Sequence, residues 1–76
     1  MFTYYEVWYS NGTANMVKAG VYTNKEDAIG TAKIYHKSIV FQIDKTVLNY
    51  VDGWTDTNVI FEKGGDAVQE RVIKYF

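Results

Sequence analysis

The sequence predicts an α+β domain: a single small antiparallel sheet built from hairpins, with one helix packed on one face, in the order ββαββ followed by a third hairpin. Three observations predict it. Nine Val, six Ile, seven Thr and thirteen aromatic residues stand against a single leucine, Leu48, and five alanines. Such side chains lose rotamer freedom on a helix and suit a pleated surface. Asn11-Gly12 falls between two strand-like runs, a strong hairpin signal. The stretch from Thr23 to His36 carries a helix start and helical spacing. With 76 residues the chain is expected to form one domain, residues 1–76.

Phe2 to Tyr9 and Asn15 to Tyr22 are the first two strands. A two-residue Asn-Gly loop would pair Ser10 with Thr13 and mix charged with apolar residues on both faces. A longer loop, with Ser10 opposite Ala14 or Tyr9 opposite Asn15, sorts the chain cleanly, because a one-residue slip turns every side chain over. One face then holds Tyr5, Val7, Tyr9, Val17, Ala19 and Val21 as core. The other holds Phe2, Tyr4, Glu6, Trp8, Met16, Lys18 and Tyr22, with Glu6 directly opposite Lys18.

Thr23 or Asn24 caps the helix, and Thr23-Asn24-Lys25-Glu26 fits a capping box. Glu26 and Asp27 sit where the helix dipole favours negative charge. Ala28, Ala32 and Tyr35 share one face with Ile29 and His36 at its edge, and the two alanines allow the helix to lie close on a sheet. Gly30 falls on the opposite face. Ser38 to Ile43 and Thr46 to Val51 read as a second hairpin around Asp44-Lys45. Its core face carries Ile39, Phe41, Ile43, Leu48 and Tyr50. The polar stretch Asp52 to Asn58 reads as a loop, and Asn58 to Lys63 as a strand. In the tail, Val68, Val72 and Tyr75 recur at helical spacing. Val68, Glu70, Val72, Lys74 and Phe76 also alternate, and with Gly64-Gly65 as a turn the expectation is a third hairpin.

The inventory of reactive groups is sparse, and no enzyme is expected. Nucleophilic catalysis needs a nucleophile beside a base; the chain has no cysteine, two serines (Ser10 and Ser38) and one histidine, His36. Neither serine has a Gly-x-Ser-x-Gly context. His36, in the last helical turn, reads as a partner for terminal carbonyls. Asp52, Asp56 and Asn58 lack the Gly and Glu that a calcium loop requires at its sixth and twelfth positions. Glu62 and Glu70 could approach across the last hairpin, but so small a domain has little room for a substrate cleft. Lys63-Gly64-Gly65-Asp66 lacks the Gly-Lys-Ser/Thr of a phosphate loop. No catalytic, metal or cofactor site is therefore expected, and no cofactor. A net charge of −1 removes the broad electrostatic term on which non-specific nucleic-acid binding rests. Apolar runs are too short for a membrane span and the first residues do not read as a signal peptide, so a cytoplasmic location without membrane contact is expected.

What remains is a surplus of large apolar groups. Tyr4, Trp8, Met16, Lys18 and Tyr22 on the outer face of the first hairpin, and Trp54 in the polar loop Asp52-Gly53-Trp54-Thr55-Asp56, are the expected partner-binding residues. Aromatic and Met side chains are enriched at interfaces, and Trp and Tyr are the commonest anchors there. The expectation is a small protein-binding module, an inhibitor or adaptor acting by surface contact. Its partner is another protein, or a second copy in a homodimer. Lys, Asn, Tyr and Ile make up 25 of the 76 residues, a leaning associated with AT-rich genes. That usage suits a phage-type, host-directed or anti-defence protein, although no residue selects that role. One alternative is a single-stranded nucleic-acid binder stacking bases on the rings, disfavoured because Lys18 is the one cation placed on that face. Another is a structural subunit of a homo-oligomer.

Overall fold

The computed structural model describes residues 2–12, 15–45, 55–64 and 70–73. Its elements are β1 (Phe2–Ser10), β2 (Met16–Tyr22), α1 (Lys25–Ile34), β3 (Ser38–Lys45), β4 (Thr55–Lys63) and β5 (Glu70–Val72). The strands form one sheet in the order β2-β1-β3-β4-β5, and every neighbouring pair is antiparallel. β2 and β3 therefore run in the same direction on either side of β1, and α1 carries the chain from one to the other across it. This is the predicted α+β architecture, with one helix on one face. The C-terminal segment supplies a strand, Glu70–Val72, antiparallel to β4 as the alternation predicts; Lys63 pairs with Glu70, further along than a two-residue turn at Gly64-Gly65 would bring the chain. Among the described residues no helix is long and apolar enough to cross a membrane.

Local chemistry sets the helix ends. Asn24 is extended, at φ −111° and ψ 126°. Its Oδ1 accepts from the backbone N–H of Glu26 at 2.9 Å and of Asp27 at 3.3 Å, satisfying two of the orphan donors at the helix start. Of the two expected caps, Asn24 is the one used. Glu26 and Asp27 occupy the first turn and Lys33 the last, each with the sign the dipole favours. The helix stops where Tyr35 turns extended, and the Tyr35 ring stacks on Tyr9 with centroids 4.1 Å apart and planes 14° from parallel. His36 thus lies beyond the helix rather than in its last turn.

The core is Val7, Ala28, Ala32, Val40, Ile60 and Phe61, with Tyr5, Ala19, Tyr22 and Ile29 packed against it. Ala28 and Ala32 present almost no bulk, so the helix lies directly on the Val7–Val40 pair. Ser38, buried beside them, donates its hydroxyl hydrogen to the Ala32 carbonyl at 2.7 Å. A buried hydroxyl without such a partner would be costly.

Two β-bulges sit level with that pair. In β2, Val7 pairs with Gly20 and Trp8 with Lys18, so Ala19 is an extra residue. In β4, Val40 pairs with Phe61 and Phe41 with Val59, so Ile60 is extra. A bulge bends its strand and increases its twist; here the one in β2 brings Ala19 against the core beside Gly20, and the one in β4 brings both Ile60 and Phe61 into it.

Several expectations need correction. Ser10 pairs with Met16 and Tyr9 with Val17, two residues further along β2 than the predicted register of Ser10 with Ala14 and Tyr9 with Asn15. The parity is the same, so Trp8, Met16 and Lys18 keep the predicted face. Beyond the Ala19 bulge the parity reverses: Val21 comes to the face of Glu6, and Tyr22 moves to the helix face opposite Tyr5. Lys18 faces Trp8 instead of Glu6 but reaches Glu6 diagonally, at 3.8 Å.

In β3 the predicted faces are exchanged. Val40 and Ser38 lie under the helix, and Ile39 and Phe41 lie opposite Trp8 and Glu6 on the other face. The helix comes too close for an isoleucine and phenylalanine row. The predicted turn at Asp44-Lys45 is strand, paired with Thr3 and Phe2 on one side and with Asp56 and Thr55 on the other. The Asp44 carboxylate accepts from the Thr3 hydroxyl at 2.6 Å instead of closing a turn. Thr55 to Asn58, expected as loop, belong to β4, because the ladder with β3 recruits them. The predicted strand at residues 46–51 lies outside the described residues.

Two stability predictions follow from this packing. A Cβ on exposed Gly30 would meet nothing within 4 Å, so Gly30→Ala is expected to raise stability by about 0.5–1 kcal/mol, read as a higher urea midpoint at unchanged slope. Phe61 is the largest fully buried side chain among the described residues. Phe61→Ala is expected to cost about 3–5 kcal/mol, most of what so small a domain has to lose, and to show as a large fall in the same midpoint.

Candidate interaction face

The face away from the helix is built by alternation. From β1 come Phe2, Tyr4, Glu6 and Trp8; from β2, Met16, Lys18 and Val21; from β3, Ile39, Phe41 and Ile43; and from β4, Val59 and Glu62. No element among the described residues lies across this face. Phe2 is 50% exposed, Met16 36% and Val21 53%, while Tyr4, Trp8, Ile39 and Phe41 are half-buried and Ile43 is buried.

The polar groups on the face are spent on holding the rings. The Trp8 indole Nε1–H donates to Glu6 Oε1 at 3.0 Å. Glu6 Oε2 takes the Lys18 ammonium at 3.8 Å, and that ammonium stands 5.8 Å from the centre of the Trp8 ring, within the range of a cation–π contact. Glu6, Trp8 and Lys18 thus fix one another. Along β1, the Tyr4 ring is tilted 40° to Phe2 at 5.8 Å, and Lys45 stands 5.5 Å over it. At the far side Arg71 pairs with Glu62.

Between the rings lies a cleft of about 270 Å³ lined by Trp8, Met16, Ile39 and Phe41. A second cleft, of about 280 Å³, shares Met16 and Ile39 with it and continues to Lys37, Glu62, Lys63 and Arg71. The two form one groove, apolar at the Trp8 end and charged at the Lys37 end.

Of the residues predicted to bind a partner, Tyr4, Trp8, Met16 and Lys18 stand together on this face. Tyr22 stands on the other side of the sheet, where its hydroxyl accepts from Thr31 Oγ1 at 3.0 Å. Trp54 lies outside the described residues. Ile39, Phe41, Lys37 and Arg71 belong to the groove and were absent from the prediction. A clue to the first two was present in Ser38: a serine beside an apolar run sits comfortably under a close-lying helix only if its neighbours Ile39 and Phe41 point away. Among the described residues no three His, Cys, Asp or Glu side chains come together to hold a metal ion.

No protein-family model, curated protein or solved structure matches the chain. The molecule is therefore defined by its architecture and this face: a five-stranded antiparallel α+β domain with an apolar groove on the sheet side opposite its helix.

Trp8→Ala should separate this face from the core. It is expected to cost roughly 1–2 kcal/mol, as for a partly buried ring, well short of the loss from Phe61→Ala, in paired urea titrations. A double-mutant cycle on Glu6 and Lys18 should give a coupling under about 1 kcal/mol that shrinks with added salt.

Proposed function

We propose that the chain is a small protein-binding module, an inhibitor or adaptor, that acts by surface contact through the sheet face opposite α1. One observation carries the proposal: Trp8, Met16, Ile39 and Phe41 form an apolar groove on a face that no described element covers. Exposed apolar patches of this kind mark contact sites. Trp8 is held in place by Glu6 and Lys18 before any partner arrives, so less side-chain entropy is lost on binding. Its usage of Lys, Asn, Tyr and Ile supports a host-directed role for such a module, as an association of composition.

A nucleic-acid partner is less well supported. Lys18 and Arg71 are each matched by a carboxylate on the same face, Glu6 and Glu62, where a phosphate chain would need a row of available cations.

The test is retention of a partner from the source cell on the immobilised chain, with Trp8→Ala and Met16→Asp as variants checked for folding by circular dichroism. A protein held in stoichiometric amount by the wild type and lost by both folded variants is the expected result. Retention unchanged in both would remove this face from consideration. Light scattering across a dilution series tests the homodimer on the same face, and an oligonucleotide titration at low and high salt tests the nucleic-acid alternative.

A further inference from the structure

The registers align the groove face in rows across the sheet. One row reads Lys18, Trp8, Ile39, Glu62 and Arg71, and the next Val21, Glu6, Phe41 and Val59. Further along the strands Tyr4 stands beside Ile43, and Phe2 beside Lys45. Lys18 on β2 and Glu62 on β4 therefore flank their row symmetrically about the line between β1 and β3. Each has a partner in its own chain, Glu6 and Arg71, but the two side chains keep 45% and 33% of their surface open, which leaves room for a second.

We infer that the groove face is covered by a second copy of the chain, related by a two-fold axis that runs along the strands between β1 and β3. Such an axis lays each β1 over the other copy's β3, and each β2 over the other's β4. Lys18 then meets Glu62 of the second copy, and symmetry makes that contact twice. Trp8 comes over Ile39, Val21 over Val59, Tyr4 over Ile43 and Phe2 over Lys45, so no like charges are opposed. Charge complementarity selects this axis. A two-fold across the strands lays β2 on β2, whose face residues are Met16, Lys18 and Val21, and gives Lys18 no acid.

The area fits as well. Five strands, the longest of eight or nine residues, make a face of roughly 20 by 30 Å in plan, to which side-chain relief adds. A standard interface takes about 800 Å² from each partner, more than a single peptide strand supplies. Aligned sheets pack face to face with about 30° between their strands and interdigitated side chains, and that packing covers Phe2, Met16 and Val21, the exposed apolar residues of the face. The inference rests on the proposal that this face binds protein and names its occupant in the free chain: a foreign partner has to displace the second copy.

The experiment is sedimentation velocity on the full-length chain across a dilution series, with a charge-swap cycle. The wild type is expected to be a dimer. Lys18→Glu and Glu62→Lys should each weaken it about tenfold, less at high salt, and the double variant should recover most of the loss. An effect within one chain would not recover, because the double variant restores the contact between copies while both in-chain pairs, with Glu6 and with Arg71, stay broken. Val21 is exposed, so Val21→Asp is expected to fold, by circular dichroism, and to be a monomer.

A monomer at every concentration, a dimer that survives Val21→Asp, or losses that the double variant does not recover would overturn the inference. If the chain is monomeric and its captured protein is lost in Trp8→Ala, protein binding by the face stands and only the second copy fails. A monomeric chain whose captured protein is unaffected by Trp8→Ala removes both.

Discussion

The distance at which α1 can lie over β1 and β3 governs the rest of the molecule. Ala28 and Ala32 bring the helix backbone down onto Val7 and Val40, and all four are fully buried. The Ser38 hydroxyl ties the sheet to the helix by its bond to the Ala32 carbonyl. At that separation only small side chains fit beneath the helix. Phe61, the one fully buried ring among the described residues, reaches the core on β4, beside Ile60 of its bulge. Gly20 obeys the same limit: a Cβ there would come within 3.1 Å of the Tyr22 ring, which lies over it.

Phe61, Tyr5 and Tyr22 pack on the helix side of the sheet. Phe2, Tyr4, Trp8 and Phe41 lie on the opposite side, where Tyr4, Trp8 and Phe41 are half-buried and Lys18 and Lys45 stand over Trp8 and Tyr4. Such partial burial still removes apolar area from water and so contributes to stability. The face is thus both a secondary packing layer and the surface offered to a partner. Glu6 serves both roles, since it satisfies the indole N–H and holds the lysine over the ring.

What could be read from the sequence was local. The Asn24 cap, the acidic first turn, the Asn11-Gly12 connection and the alternation of β1 each depend on a few neighbouring residues, and each is found in place. The facing of β3 was not legible, because Ile39, Phe41 and Ile43 make a better apolar row than Ser38 and Val40. Only the closeness with which the preceding helix packs back on the sheet decides between them. Thr55 to Asn58 look like loop by composition and become strand because β3 stays extended as far as Lys45 and pairs with them. The bulges leave no compositional mark at all. That is why Tyr4, Trp8, Met16 and Lys18, which lie before or beside the Ala19 bulge, were placed on the correct face, and Tyr22, beyond it, was not.

The Ala19 bulge also gives β2 something like a reading frame. Up to Lys18 the strand is in phase with the groove, and after Gly20 it is in phase with the helix. Without the bulge the same residues would run in regular alternation, with Ala19 opposite Val7, and the places of Val21 and Tyr22 would be exchanged, taking the Tyr22 hydroxyl away from Thr31 and setting a second phenol on the groove side. In this strand, then, a shift of a single position alters surface chemistry more than most substitutions would.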